Sequence, residues 1–304
     1  MNIDLRNTLI EWIDWKTEIY PPQPVLIVRR RDEIEKIGMF NGCELQINVQ
    51  LDKKYCIGFF DEFDNVYPCK NNMTVERSLQ CEECLSNDIL WRCAMCKGVY
   101  CINPKARDFC FNHKHIVYLA VYNPNLVKVG VSWEKRFQKR IAEQGANIAV
   151  KVAECPTGFD ARKLERKITQ RLGITDRSSS KDKQSALQPT YSAEMMTALI
   201  YKIRTGIFRA FNGTEYEKNL IKDSGIYDLY TPFKNTLAKE NVSAVVIQDK
   251  KNINRMLEGK IVAQKGFYLL LKVYTGVIFP SIVAIDLRNY IGFRTIGGSI
   301  KCQI

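Results

Sequence analysis

The sequence predicts an α+β chain: a small α/β domain preceded by a compact Cys/His-rich segment, with β-rich parts at both ends. Three observations predict it. Apolar residues make up 46% and charged residues 26% of 304 residues, enough to build packed cores and too apolar for disorder. Six cysteines, Cys81, Cys84, Cys93, Cys96, Cys101 and Cys110, fall within thirty residues and are followed by the chain's two histidines, His113 and His115. Residues 116–172 then carry apolar runs and amphipathic stretches in the order strand, strand, helix, strand, helix.

Taken in order, residues 2–16 read as a short amphipathic helix, with Ile3, Leu9, Ile10, Ile13 and Trp12 or Trp15 on one side. Pro21, Pro22 and Pro24 stop it. Residues 25–28, 45–49 and 55–60 read as strands, with turns at Asn41-Gly42 and Asp64-Asn65; this helix and these strands form an N-terminal region, 1–68. The Cys/His segment occupies 69–115. The α/β domain occupies 116–190, ending in a polar loop or linker over 173–190. A basic α+β domain fills 191–304, with a helix over 192–222 and strands from 242 onward.

Charge divides the chain unevenly. Residues 1–115 carry 15 basic and 17 acidic side chains, net −2; residues 116–190 carry 14 and 7, and residues 191–304 carry 16 and 9, each net +7. The positive field therefore belongs to the last two thirds, and such a field concentrates polyanions, nucleic acid above all. Lys250, Lys251, Lys260, Lys265, Arg288 and Arg294 could extend that surface. No stretch has the ~20 apolar residues of a membrane helix, and the N-terminus lacks the layout of an export signal. A soluble, cytoplasmic protein without a membrane partner is expected.

In that setting paired Cys-x-x-Cys units read as metal ligands rather than disulfides. Cys81/Cys84 and Cys93/Cys96 form two such pairs, and Cys101, Cys110, His113 and His115 follow. Structural zinc needs a closed tetrahedron of four sulfur or nitrogen ligands. Eight candidates suit two interleaved zinc ions; one ion held by the two pairs is the simpler arrangement, and Cys69 is a spare ligand in either. The segment is too polar and short for a core of its own, so metal must replace the core. Cys43, Cys56, Cys155 and Cys302 read as scattered.

Downstream, Ile116–Ala120 and Leu126–Ser132 read as a hairpin turning at Asn123-Pro124-Asn125. A basic helix follows, in which Arg136 and Arg140 share a face, and a later helix holds Glu165 among Arg162, Lys163, Arg166 and Lys167. Tyr118 and Lys128-Val129-Gly130 resemble the two halves of the GIY-YIG nuclease motif, in particular its phage-type branch. More closely, the chain resembles a prokaryotic, largely archaeal domain-of-unknown-function family that joins a Cys-rich zinc-finger segment to a GIY-YIG-like domain. Residues 117–120, 128–131, 143–146 and 265–269 carry that likeness.

The resemblance implies a metal-dependent endonuclease acting on DNA or RNA. Tyr118 would be the base, Arg136 and Arg140 would meet the phosphate, and Glu165 would hold one Mg²⁺ or Mn²⁺. Gly130, Lys135, Lys139 and Arg162 would line the nucleic-acid path. The chain departs from the family's pattern: Ile116 and Val117 precede Tyr118 without the expected glycine, Lys128 replaces the second tyrosine, Arg140 stands where many members carry a histidine or tyrosine, and the late asparagine has no match. Lys128 removes an acid/base group and adds a cation that can grip phosphate. The departures favour the alternative, a non-catalytic nucleic-acid-binding module, for RNA in particular, on a degenerate nuclease fold. A zinc-dependent interaction protein without nucleic acid is the third reading.

Overall fold

The computed structural model describes residues 1–89, 92–177, 179–188, 190–241, 245–248, 253–274 and 281–302. The chain divides into two compact units, Met1–Leu90 with Thr236–Ile304, and Trp91–Asn235. These cut across the four segments expected from the sequence. In chain order the first unit receives β1 (Asn2–Asp4), β2 (Thr8–Lys16), β3 (Gln23–Arg30), β4 (Glu33–Gly38), β5 (Glu44–Lys54), the short pair β6 (Phe59–Phe60) and β7 (Val66–Tyr67), and α1 (Glu82–Asn87). The second receives α2 (Arg107–Asn112), β8 (His115–Asn123), β9 (Leu126–Trp133), α3 (Phe137–Gln144), β10 (Ile148–Cys155), α4 (Gly158–Leu172), α5 (Ser180–Ser185), α6 (Ala193–Phe211) and β11 (Ile226–Asp228). The chain returns through α7 (Tyr230–Lys239) to β12 (Val246–Ile247), β13 (Met256–Lys265), β14 (Tyr268–Val273), β15 (Ser281–Asp286) and β16 (Phe293–Lys301).

In the first unit, ten strands among the described residues join one sheet in the order β12-β15-β14-β13-β5-β16-β2-β3-β4, with β1 on β16. β5 lies antiparallel between β13 and β16, so the two ends of the chain share one ladder. Leu45, Ile47 and Val49 of β5 pack with Leu269, Leu271 and Ile285 in a common core. A disulfide joins Cys43, just before β5, to Cys302, just after β16.

Residues 2–16 are not the expected helix. Their apolar spacing satisfies a helical period, but Ile10, Trp12, Ile13 and Trp15 are β-branched or aromatic, and β3 and β16 flank β2 on both sides. Partners for both backbone edges override the local pattern.

In the second unit the sheet runs β11-β10-β8-β9. All nine residues of β8 are buried, because helices cover both faces. Val117, Leu119 and Val121 meet Leu164 and Ile168 of α4 and Met196 and Ile200 of α6. Tyr118, Ala120 and Tyr122 meet Phe137 and Ile141 of α3. The expected strand, strand, helix, strand, helix order holds over 116–172. The stretch 173–190, expected as loop, contains α5, started by a capping box between Ser179 and Asp182. Among the described residues no helix is long and apolar enough to cross a membrane.

Candidate metal centre and nucleic-acid interface

In the first unit Cys56, Cys69, Cys81 and Cys84 bring their sulfurs within 4.8 Å of one another. A tetrahedral zinc ion with Zn–S bonds of ~2.3 Å needs sulfurs about 3.8 Å apart, so this set can hold a metal such as zinc with little movement. Local chain geometry builds it. Gly58 has φ +79°, and its N–H donates to Cys56 Sγ at 3.4 Å. A Cβ on Gly58 would lie 1.8 Å from the Tyr67 carbonyl oxygen, so only glycine fits this turn. The Cys81 N–H donates to the same sulfur at 3.2 Å as the chain enters α1, which carries Cys84.

The sheet braces this loop. Arg29 of β3, almost wholly buried, donates to the carbonyls of Cys69 at 3.0 Å and Cys56 at 3.1 Å, and its Nε lies 2.8 Å from Glu11 of β2. Burial pushes the Cys56 thiol up to about 11, and burial with the neighbouring thiols Cys56 and Cys81 raises Cys84. Cys69 is held below its usual value despite burial, by the N–H groups of Met73 and Asn71. Crowded thiols that resist ionising together are a site that a divalent cation completes.

This set differs from the expected pairing of Cys81/Cys84 with Cys93/Cys96: Cys69, expected as a spare, is a full member, and Cys56 supplies the fourth sulfur. Cys93, Cys96, Cys101 and Cys110 belong to the second unit. His113 and His115 stand outside the first set; each uses Nδ1 on a backbone carbonyl, of Phe109 at 2.9 Å and His113 at 2.8 Å.

Also in the second unit, most of the residues the resemblance assigns to chemistry converge beside the outer strand β9. Tyr118 faces Gly130 across the β8/β9 ladder, and a Cβ on Gly130 would come within 2.6 Å of the tyrosine hydroxyl. Gln144, the last residue of α3, lies 2.9 Å from the Tyr118 hydroxyl and 3.2 Å from that of Tyr122. With its amide oxygen toward Arg140, that oxygen accepts from Nε and NH2 at 3.1 and 3.2 Å, while its NH₂ donates to both tyrosines. Arg136 donates to both Glu143 oxygens at 2.9 Å, and Arg140 stands 3.9 Å from the same carboxylate. From α4, Arg162 pairs with Glu165 at 2.9 Å, which keeps the guanidinium charged against the cost of burial.

Lys128 sits among these groups. Burial first, then the charges of Arg140 and Lys183, lower its ammonium to about 8, against a smaller pull from Glu165. Tyr118 is fully buried, and burial raises its hydroxyl against the pull of Arg140. The cluster thus holds five cations, Lys128, Arg136, Arg140, Arg162 and Lys183, against two carboxylates, Glu143 and Glu165. Lys135 is exposed, with its ammonium 5.8 Å from the centre of the Trp133 ring, and Lys139 is half-buried on α3.

A family model described as a protein of unknown function (DUF2797) matches residues 42–294. The chain belongs to this family. No curated protein and no solved structure matches it. The matched span takes in both the Cys56 set and the cationic cluster.

Cys56, Glu143, Gln144 and Lys183 were absent from the residues assigned by sequence. A signal for Cys56 was present: Cys56-Ile57-Gly58 repeats the Cys-x-Gly of Cys96-Lys97-Gly98. Of the later basic residues, Lys265 is buried and Arg288 is held by Asp286 at 2.6 Å, while Lys250 and Lys251 lie outside the described residues.

Proposed function

We propose that the chain binds the sugar–phosphate backbone of a nucleic acid through Lys128, Arg140, Arg162 and Lys183 of the second unit, and that the Cys56 set holds a structural zinc ion. One observation carries the reading: five cations converge where two carboxylates offset only part of the charge. Guanidinium forks suit phosphate oxygens, and the partly buried Lys128 adds a point charge. Binding is tested by fluorescence anisotropy with duplex DNA, single strands and structured RNA over 50–200 mM salt. The expected result is affinity that falls steeply with salt, and a log–log slope reduced by about 2 in Arg140→Ala/Lys183→Ala. Binding that ignores both salt and these substitutions would overturn it.

Hydrolysis of the backbone is the second reading, supported by the proximity of Tyr118, Arg140 and Glu165. Two features weigh against it. Tyr118 has no exposed surface and a raised pKa, which makes it a poor base. Glu165 is committed to Arg162, so the cluster does not fit a Mg²⁺ or Mn²⁺ ion as it stands. Cleavage of these substrates that needs Mg²⁺ or Mn²⁺ and is lost in Glu165→Gln would favour this reading over binding alone.

A further inference from the structure

We propose that Cys93, Cys96, Cys101 and Cys110 bind a second zinc ion, and that this ion clamps the start of α4 within the second unit. The proposal is independent of the nucleic-acid reading.

The same turn recurs in both cysteine sets. In Cys56-Ile57-Gly58 the glycine takes φ +79° and its N–H donates to the Cys56 sulfur at 3.4 Å. In Cys96-Lys97-Gly98 the glycine takes φ +65° and its N–H donates to the Cys96 sulfur at 3.4 Å. A left-handed glycine two residues after a cysteine turns a backbone N–H onto the sulfur, and that stabilises a thiolate ligand.

The four thiols also converge. Cys110 lies within the electrostatic reach of Cys93, Cys96 and Cys101, and Cys93 within that of Cys96 and Cys101. Asn103 links two of them, donating from its side chain to Cys93 Sγ at 3.3 Å and accepting from Cys101 Sγ at its carbonyl at 3.5 Å. Among the described residues, only the Cys56 set has its ligand atoms all within 4.8 Å, so the second set must draw in around its ion. Binding releases the thiol protons to solvent as the four sulfurs ligate.

Few buried side chains hold this segment. Among residues 92–112 only Gly98, Asn103 and Ala106 are buried, while Met95, Val99 and Tyr100 are more than half exposed. Its apolar contacts are few, Phe109 edge-on to Trp133 and Phe111 stacked on Phe159 of α4, and two glycine contacts pack it tightly on the same helix. A Cβ on Gly98 would lie 2.6 Å from the Lys163 nitrogen and 2.9 Å from the Arg162 carbonyl carbon. A Cβ on Gly158, the first residue of α4, would lie 3.0 Å from Cys110 Sγ and 2.8 Å from His115 Nε2. A metal crosslink supplies the missing rigidity. Because a carbonyl can only accept, His115 Nδ1 donates to the His113 carbonyl and leaves Nε2 without a proton. Asn103 ties Cys101 to Cys93, so the four thiols are taken as the ligand set, and His115, whose Nε2 meets Gly158 beside Cys110, is tested by its own variant.

The test is metal analysis of the full chain purified under reducing conditions. Two zinc ions per chain are expected, falling to one in Cys96→Ser/Cys101→Ser and to one in Cys56→Ser/Cys81→Ser, with His115→Asn keeping two. Should a variant misfold, the wild type answers alone: titration with a mercurial reagent should release zinc in two steps that total two per chain. Hydrogen exchange in the first two turns of α4 should quicken at least tenfold in the Cys96/Cys101 variant. A zinc content that is unchanged in Cys96→Ser/Cys101→Ser would overturn the site, whether the wild type holds one ion or two. Loss of an ion in His115→Asn would overturn the four-thiolate assignment, and unchanged exchange in α4 would overturn the clamp. None of these outcomes depends on whether nucleic acid binds.

Discussion

Gly130 shows how one missing side chain can set a site. A Cβ on Gly130 would come within 2.6 Å of the Tyr118 ring and hydroxyl, and its absence lets the hydroxyl reach Gln144 and the field of Arg140. Gly130→Ala should destabilise the protein by about 1–3 kcal/mol, read by thermal denaturation, because overpacking displaces a fully buried ring. Lys128 makes the opposite case. Its folded pKa, about 8, lies below its ordinary value of 10.5, so between those values the unfolded chain binds the extra proton. Stability should therefore rise as pH climbs from 8 toward 10.5. At pH 7 Lys128→Met should stabilise by on the order of 1 kcal/mol while weakening nucleic-acid binding. In the wild type, binding should weaken above pH 8 as this cation is lost. A melting series at several pH values with matched anisotropy titrations checks all three. At this scale Tyr118, Gly130 and Lys128 were legible, because hairpin register is a short-range property. Gln144 was not, because nothing in an amide at a helix end says which hydroxyls the fold will bring to it.

At the scale of elements, the loop that carries Cys56, Cys69 and Cys81 is only as firm as the strands behind it. Arg29 of β3 fixes the carbonyls of two ligand residues, and Glu11 of β2 sits beside it at 2.8 Å. Arg29→Met should cost about 3–5 kcal/mol and lower metal affinity, since it strands a buried carboxyl and frees both carbonyls. Adding Glu11→Leu should recover part of the stability but not the affinity, as denaturant melts and competition with a zinc chelator would show. Gly58→Ala should abolish the metal loop, because the new methyl would meet the Tyr67 carbonyl and φ +79° suits only glycine; zinc content near zero at the Cys56 set would report it. The hairpin and helices of 116–172 could be read from periodicity alone. The strand β2 could not, since Leu9, Ile10 and Ile13 fit helical spacing as well as they fit a ladder between β3 and β16.

At the scale of the whole molecule, the first unit is assembled from both ends of the chain. β16 pairs with β1, β2 and β5, and β13 takes the other edge of β5. A fragment ending at residue 89 loses both neighbours of its longest strand and should not fold, which far-UV circular dichroism and soluble yield would reveal. Chelation should lower the melting temperature of the full chain by several degrees, since metal that binds only the folded state stabilises it by mass action.

Spacing along the chain determined which local patterns it carries: thiols in close pairs, a tyrosine–glycine hairpin, and arginines a helical turn apart. Only the tertiary structure decided which thiols belong together. Cys56 follows a strand gripped between β13 and β16, so its partners are chosen by a ladder that closes across more than two hundred residues. A local pattern carries turn geometry and periodicity, but the pairing of distant strands depends on the whole core that those strands bury together.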